Sequence, residues 1–400
     1  MRIITKELYR LFNIRLFLML MLFSLMYINL FLSIAQDWWN YSNSIWDVDF
    51  HRELVAEFGT ELSIDEWDAF MAKRQGLIDT FMTEIKKSPI MQKHGIDTYE
   101  KYIDTYEKYQ KKNIELNMDT ADELYSEFVR FSFEDLITEP ISFKLQLMNY
   151  IVDDKEDNYI FTDSDNADRI ISELYVSKHS QVYQQRYKSH MTANSITLIH
   201  SSAVETVSGD FISMIILTAV WCFVLILPYQ ISERLRGIRS IQLTTYIGRK
   251  CFDKQAAACV LTGTIIGIML CAVYAIMLWR KGAFDFLKCT IDDLWFDMTY
   301  LQYLILYAAF MILISVGAAM LAYFIGRLSA NYIAGIGISI PVAAIFCIAT
   351  NFLGMSPFEM GWNLSKVGSV VRACGIGLVL VFCTAVVIIM LRRDKVRDIL

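Results

Sequence analysis

Apolar residues along this chain gather into long uninterrupted runs instead of alternating with polar ones. A helix needs about 20 apolar residues to cross the hydrocarbon core of a bilayer. Six runs reach or approach that length, at residues 16–35, 211–229, 256–279, 301–325, 332–353 and 373–391. Because lipid offers no hydrogen-bond partner to an open backbone, each run is expected to be helical. The pattern predicts an all-α membrane protein with six transmembrane helices.

The first run also resembles a signal peptide, since Ser33-Ile34-Ala35 has the small residues of a cleavage site. The apolar core of a signal peptide spans about 7–15 residues. This run is longer, so we favour an uncleaved anchor. Composition agrees with a membrane protein, because 55% of the residues are hydrophobic, against about 45–50% in soluble domains.

Lysine and arginine set the predicted orientation, because they concentrate on the cytoplasmic side of a membrane. They cluster before the first run, after the second run, between the fourth and fifth, and after the sixth: Arg2, Lys6, Arg10, Arg15, Arg234, Arg236, Arg239, Arg249, Lys250, Lys254, Arg327, Arg392, Arg393, Lys395 and Arg397. Six spans with both termini in the cytoplasm place all of these on one side. Residues 36–208 then form an extracytoplasmic domain.

This outer domain is acidic and predicted to be mostly helical. It holds 17 basic and 32 acidic residues, a formal charge of 17 − 32 = −15. Its segment IDTYEKYIDTYEKYQKK, from Ile96 to Lys112, repeats seven residues with apolar positions three and four apart. A coiled coil needs about three or four heptads, and the register fails at Gln110 and Asn113. We therefore favour an amphipathic helix packed on its own domain over a dimer seam.

The six apolar runs contain no charged side chains. None of the six runs holds Asp, Glu, Lys, Arg or His, and such groups mark ion and proton pathways. The chain lacks a phosphate-binding G-x-x-x-x-G-K-[ST] sequence and the H-E-x-x-H and G-x-S-x-G motifs. We expect no catalytic, metal or cofactor site here, and no enzyme activity. Any energy for transport would come from ATP on a partner subunit.

The eight cysteines all lie outside the outer domain. Exported domains of this size usually contain disulfides where the host forms them routinely. Their absence suggests a bacterium with little disulfide machinery, such as a Gram-positive one, and a location in its cell membrane.

The basic segment 232–255 follows the second span. Ile238, Ile241 and Leu243 can form the apolar side of a short helix within it. Such a helix could press into a separate ATPase, or the segment could be a charged loop that only fixes topology. The residues by themselves favour neither.

The same segment resembles that of the membrane subunit of an ABC-2 type exporter, in the branch with a large external domain between the first two spans. Five residues match the family pattern: Glu233, Gly237, Ile241, Leu243 and Arg249. The family also begins with an amphipathic interface helix, which residues 1–15 fit, and has re-entrant helices where residues 354–371 lie. The resemblance implies that the five residues couple the permease to an ATPase subunit. It also implies a second permease chain, identical or not, contact with membrane lipid, and no nucleic acid.

The expected function is therefore that of a permease moving a peptide, lipid or drug-like substrate outward. The alternative is a sensing or immunity protein whose outer domain binds an extracellular peptide or partner. In that case the strong negative charge favours cationic ligands through long-range attraction. A membrane-embedded enzyme is the least favoured reading, because the spans hold no acid, base or metal cluster.

Overall fold

The computed structural model describes residues 2–32, 34, 45–110, 123–125, 127–128, 131, 141–157, 162–173, 181–199, 201–244, 246–291, 294–354, 358 and 365–396. These residues are predominantly helical. The chain divides into two compact units, one of Met1–Asn43 with Ile199–Leu400 and one of Ser44–Leu198. The two are called here the membrane unit and the outer unit.

The membrane unit begins with two separate helices. Helix α1, Arg2–Leu11, is amphipathic, and α2, Ile14–Phe31, is apolar throughout. Asn13 separates them, since its side chain accepts a hydrogen bond from the Arg15 N–H and caps α2. The predicted amphipathic N-terminal helix is thus present, and the first span starts after a break.

The outer unit is a helical domain with one short ribbon. Its described elements are α3 (Ile45–Phe58), β1 (Glu61–Ser63), α4 (Trp67–Ile85), α5 (Pro89–Lys93), α6 (Tyr99–Gln110), α7 (Ile141–Asp157), α8 (Ser164–Glu173), α9 (Gln181–Met191) and β2 (Ser195–Thr197). Strands β1 and β2 pair antiparallel, with Leu62 opposite Ile196. The ribbon was not predicted, and it ties the two ends of this unit together.

The repeated heptad lies in α6 and the turn before it. Tyr102 is buried, and its ring meets Phe81 edge-on at 4.9 Å and Phe128 at 5.6 Å. On the opposite face, Lys101 pairs with Asp97. Tyr99, Tyr102 and Tyr106 of the repeat pack into the core of their own unit, which confirms the amphipathic helix.

The membrane unit continues with α10 (Ser201–Leu235), α11 (Ile238–Thr244), α12 (Tyr246–Arg280), the ribbon of β3 (Thr290–Ile291) and β4 (Met298–Thr299), α13 (Tyr300–Leu328), α14 (Tyr332–Gly354) and α15 (Lys366–Val396). Among the described residues, six helices are long and apolar enough to cross a membrane: the whole of α2, α13 and α14, and portions of α10, α12 and α15. The protein is a multi-pass membrane protein with the predicted number of spans. Several helices extend beyond the predicted limits of the apolar runs. Charged residues that flank those runs therefore lie within the helices.

Helix α13 lies at the centre of the bundle and packs against α10, α12, α14 and α15. Gly263 and Gly267 of α12 allow α12 and α13 to approach closely. A methyl group added to Gly263 would lie 2.8 Å from both Ala319 Cβ and Ser315 O. Gly267 is nearly as close to Ile312. Small residues at these positions let the two helix backbones approach closely, so this is a helix-packing contact.

Candidate functional site

One end of the bundle brings together α1, the connection from α10 to α12, the connection from α13 to α14, and the end of α15. This basic end contains a group of buried and half-buried polar side chains, called here the polar cluster. Its members are Glu7, Tyr229, Glu233, Gln255, Arg327 and Asp394. They come from five helices, α1, α10, α12, α13 and α15.

Glu233 lies at the centre of the polar cluster and is 7% exposed. One of its carboxylate oxygens is 2.8 Å from the Tyr229 hydroxyl, and the other accepts a hydrogen bond from Gln255 Nε2 at 2.8 Å. The Tyr229 hydroxyl also donates to Glu7 of α1. A single carboxylate therefore connects α10 to α12 directly and to α1 through one phenol.

Arg327 extends the cluster to the other side of the bundle. Its guanidinium pairs with Asp394 at 2.8 Å and lies 4.0 Å above the Phe252 ring. It also donates to Gln255 Oε1, at 3.5 Å. Arg327 is one of the basic residues used to predict the orientation in the membrane. It is buried and belongs to the polar cluster.

Segment 232–255 is mostly helical. Helix α10 continues to Leu235, and α12 already begins at Tyr246. Gly237 reverses the chain between α10 and α11, because its φ of +72° is a left-handed conformation that a side chain would strain. Its N–H donates to the Arg234 carbonyl, at 3.0 Å.

The five residues with a predicted coupling role therefore occupy different environments. Glu233 points into the bundle, Gly237 forms the turn, and Ile241 is 67% exposed on α11. Leu243 lies in α11 and Arg249 in the first turns of α12, but their side chains fall outside the described part of the chain. Among the predicted coupling residues whose side chains are described, Glu233 is the one that joins the polar cluster.

A positive surface surrounds the cluster. The exposed basic side chains at this end are Lys6, Arg10, Arg15, Arg234, Arg236, Lys254, Arg392 and Arg393. Arg234 also caps α13, since its guanidinium donates to the carbonyls of Leu328 and Ser329, each at 2.9 Å. The α10–α11 turn is thus fastened to the α13–α14 connection.

The opposite end holds a smaller polar contact. Asp210 of α10 is 1% exposed and accepts hydrogen bonds from the Ile34 N–H at 3.2 Å and the Tyr274 hydroxyl at 3.1 Å. At 1.5 Å per residue, it lies roughly 35 Å from Glu233 along α10. Polar contacts therefore flank an apolar stretch as long as a hydrocarbon core is thick.

An apolar groove of about 620 Å³ is lined by residues of α10 and α14. Phe223, Val224, Ile336 and Ile340 line its walls, and Pro228 stands near one end. Its polar contribution is confined to small groups such as the Ser339 hydroxyl. The groove can accommodate an uncharged chain or ring system.

Sequence reasoning found Glu233 and missed its partners. Two signals were available in hindsight: Glu7 is an acid in a basic amphipathic helix, and Asp394 is an acid within the basic stretch RRDK. Each breaks the charge pattern around it. Among the described residues, no group of three or more His, Cys, Asp and Glu side chains could hold a metal ion.

No protein family, curated protein or solved structure matches the chain.

Proposed function

We propose that this protein is the membrane-spanning permease subunit of an ABC exporter, driven by a separate ATPase that binds the basic end. The observation that carries the proposal is the position of Glu233. It stands one turn before the α10–α11 reversal and bonds to α12 directly and to α1 through Tyr229. A push on α11 would therefore reach several spans together.

The division of labour among the predicted residues follows from burial. Ile241 is exposed on α11 and is suited to contact the ATPase, whereas Glu233 is buried and acts by positioning α10. Gly237 supports the reversal that holds α11 against the bundle. In this proposal the ATPase binds ATP, and the permease itself does no chemistry.

The positive surface supports a cytoplasmic position for the basic end, because basic residues are retained on that side. Both termini then lie in the cytoplasm, and the acidic outer unit lies outside the cell membrane. The groove between α10 and α14 supports an apolar or lipid-like substrate over a strongly cationic one, since the side chains that line it carry no charge. A second permease chain would complete the path.

The test is a pull-down of the tagged full chain from native membranes, with proteomic identification of a bound ATPase. Ile241→Glu should reduce ATPase recovery at least tenfold, because a charge would be placed in an apolar contact. Ile64→Glu is the matched control, since Ile64 is 50% exposed in the outer unit. Recovery of no ATPase with the wild-type chain, or equal recovery with Ile241→Glu, would contradict the proposal.

A further inference from the structure

The polar cluster places two carboxyl groups on one phenol. Glu7 Oε2 and Glu233 Oε1 both lie within hydrogen-bond distance of the Tyr229 hydroxyl oxygen, the latter at 2.8 Å. A phenol has a single proton, and that proton can satisfy only one of the two oxygens. If the phenol proton points to one carboxyl, the lone pairs of the phenol oxygen face the other carboxylate oxygen, so the second contact requires a proton of its own.

The charge balance of the cluster leads to the same conclusion. With all groups ionised, Glu7, Glu233 and Asp394 contribute three negative charges and Arg327 one positive charge, each side chain being buried. The Arg327 guanidinium pairs with Asp394 and also donates to Gln255 and Tyr323. Burying an uncompensated carboxylate is costly, whereas burying its neutral form is much less so.

We infer that Glu7 and Glu233 form a proton-binding site, in which one shared proton and the Tyr229 hydroxyl join α1 to α10. In the protonated state, Tyr229 donates to one carboxyl and accepts from the other. Loss of the proton leaves two carboxylates facing one hydroxyl, and α1 is released from the bundle. The inference does not depend on an ATPase, so it can fail or hold independently of the proposed function.

Each helix packed against the Glu7–Glu233 pair brings other groups near it. Arg10 of α1 approaches Glu7 at 3.7 Å but is 60% exposed. Helix α12 presents Gln255 and the Cys259 thiol, the latter close enough to interact electrostatically with both carboxyls. Arg327 of α13 contacts Gln255, and Asp394 of α15 contacts Arg327. A neutralising cation directly on Glu233 is not among these groups.

The direct test is infrared spectroscopy of the full chain in lipid nanodiscs between pH 6 and 8. The wild-type protein should show the C=O stretch of a protonated carboxyl group. Glu7→Gln and Glu233→Gln should each abolish it, because an amide supplies the missing hydrogen without a titrating proton. Glu57→Gln, at an exposed carboxylate paired with Lys73, should leave it unchanged. No such band in the wild type, or its survival in both cluster variants, would overturn the inference.

A second readout separates proton binding from a merely structural role. Hydrogen exchange of the α1 amides, corrected for intrinsic rates, reports its release from the bundle. Binding of one proton in the docked state makes the release constant rise up to tenfold for each unit of pH. Glu7→Gln should remove that dependence while α1 remains docked. Equal pH dependence in the wild type and Glu7→Gln would also overturn the inference.

Discussion

Arg327 of α13 and Asp394 of α15 form an ion pair at 2.8 Å, and their side chains are only 3% and 1% exposed. An ion pair removed from water to this degree contributes through both partners together. Taking away one of them removes the compensation for the other, which is a larger loss than the net value of the pair. A single substitution at either residue is therefore expected to destabilise the bundle strongly.

Asp394→Ala should lower the free energy of unfolding by about 3–5 kcal/mol, because the buried guanidinium loses its carboxylate. Thermal unfolding of the purified full chain in detergent measures the change. Arg393→Ala, one residue away and exposed, should change stability little. The prediction fails if the two variants are equally stable.

Gly263→Ala should destabilise the contact between α12 and α13 by about 1–3 kcal/mol, since overpacking forces neighbouring backbones apart. Gly337→Ala is the matched control, because a methyl group there meets nothing within 4 Å. Thermal stability in detergent distinguishes them. Equal melting temperatures would show that the bundle absorbs the added methyl at Gly263.

Asp210→Ala should cost about 1–3 kcal/mol, because the Ile34 N–H and the Tyr274 hydroxyl lose a shared acceptor in a buried site. Asp210→Asn keeps an acceptor oxygen and should recover part of that loss. The same unfolding assay applies to both. If Asn is no better than Ala, the hydrogen bonds are not what Asp210 contributes.

Tyr102→Ala should destabilise the outer unit by about 3–5 kcal/mol, the usual range for emptying a buried aromatic position. Urea unfolding of the isolated segment 44–198, which has its own apolar cores, measures the effect. Tyr125→Ala, at a tyrosine that is 54% exposed, should cost far less. Similar losses would show that the repeat does not pack as described.

Glu123 of the outer unit forms a surface charge contact with Lys93 and His94. Hydrogen bonds from Lys93, and then from His94, lower the pKa of its carboxyl group. The resulting stability is present above the unfolded value of about 4.3 and is lost as pH falls through the folded value. Carboxyl carbon shifts of segment 44–198 should give a pKa below 4.3, and Lys93→Met should raise it. An unchanged value in Lys93→Met would exclude the lysine as the cause.

The helices could be predicted because their signal is local. Six apolar runs, the amphipathic N-terminus and the heptad repeat each carry a period that needs no knowledge of distant residues. The β1–β2 ribbon could not be found this way, since Leu62 and Ile196 lie near opposite ends of the sequence of the outer unit.

The candidate site was predictable only in part for the same reason. The family resemblance identified Glu233 together with Gly237. The environment of Glu233 depends on Glu7 and Gln255, which lie in two other helices. Bounding the spans by apolar residues also excluded Asp210, Arg327 and Asp394, although the helices continue through them. Charged residues at the margins of an apolar run are therefore where pattern reading is weakest.

Helix α2 has few buried side chains, and its Ser24 hydroxyl accepts a hydrogen bond from Trp221, 197 residues further along the chain. At synthesis rates of about 5–20 residues per second, roughly 10–40 seconds separate the emergence of the two partners. During that interval the first helix must persist in the bilayer by itself. Its mostly apolar surface allows it to remain stable in the bilayer before the other helices are made. Ser24 then provides a hydrogen-bond acceptor for Trp221.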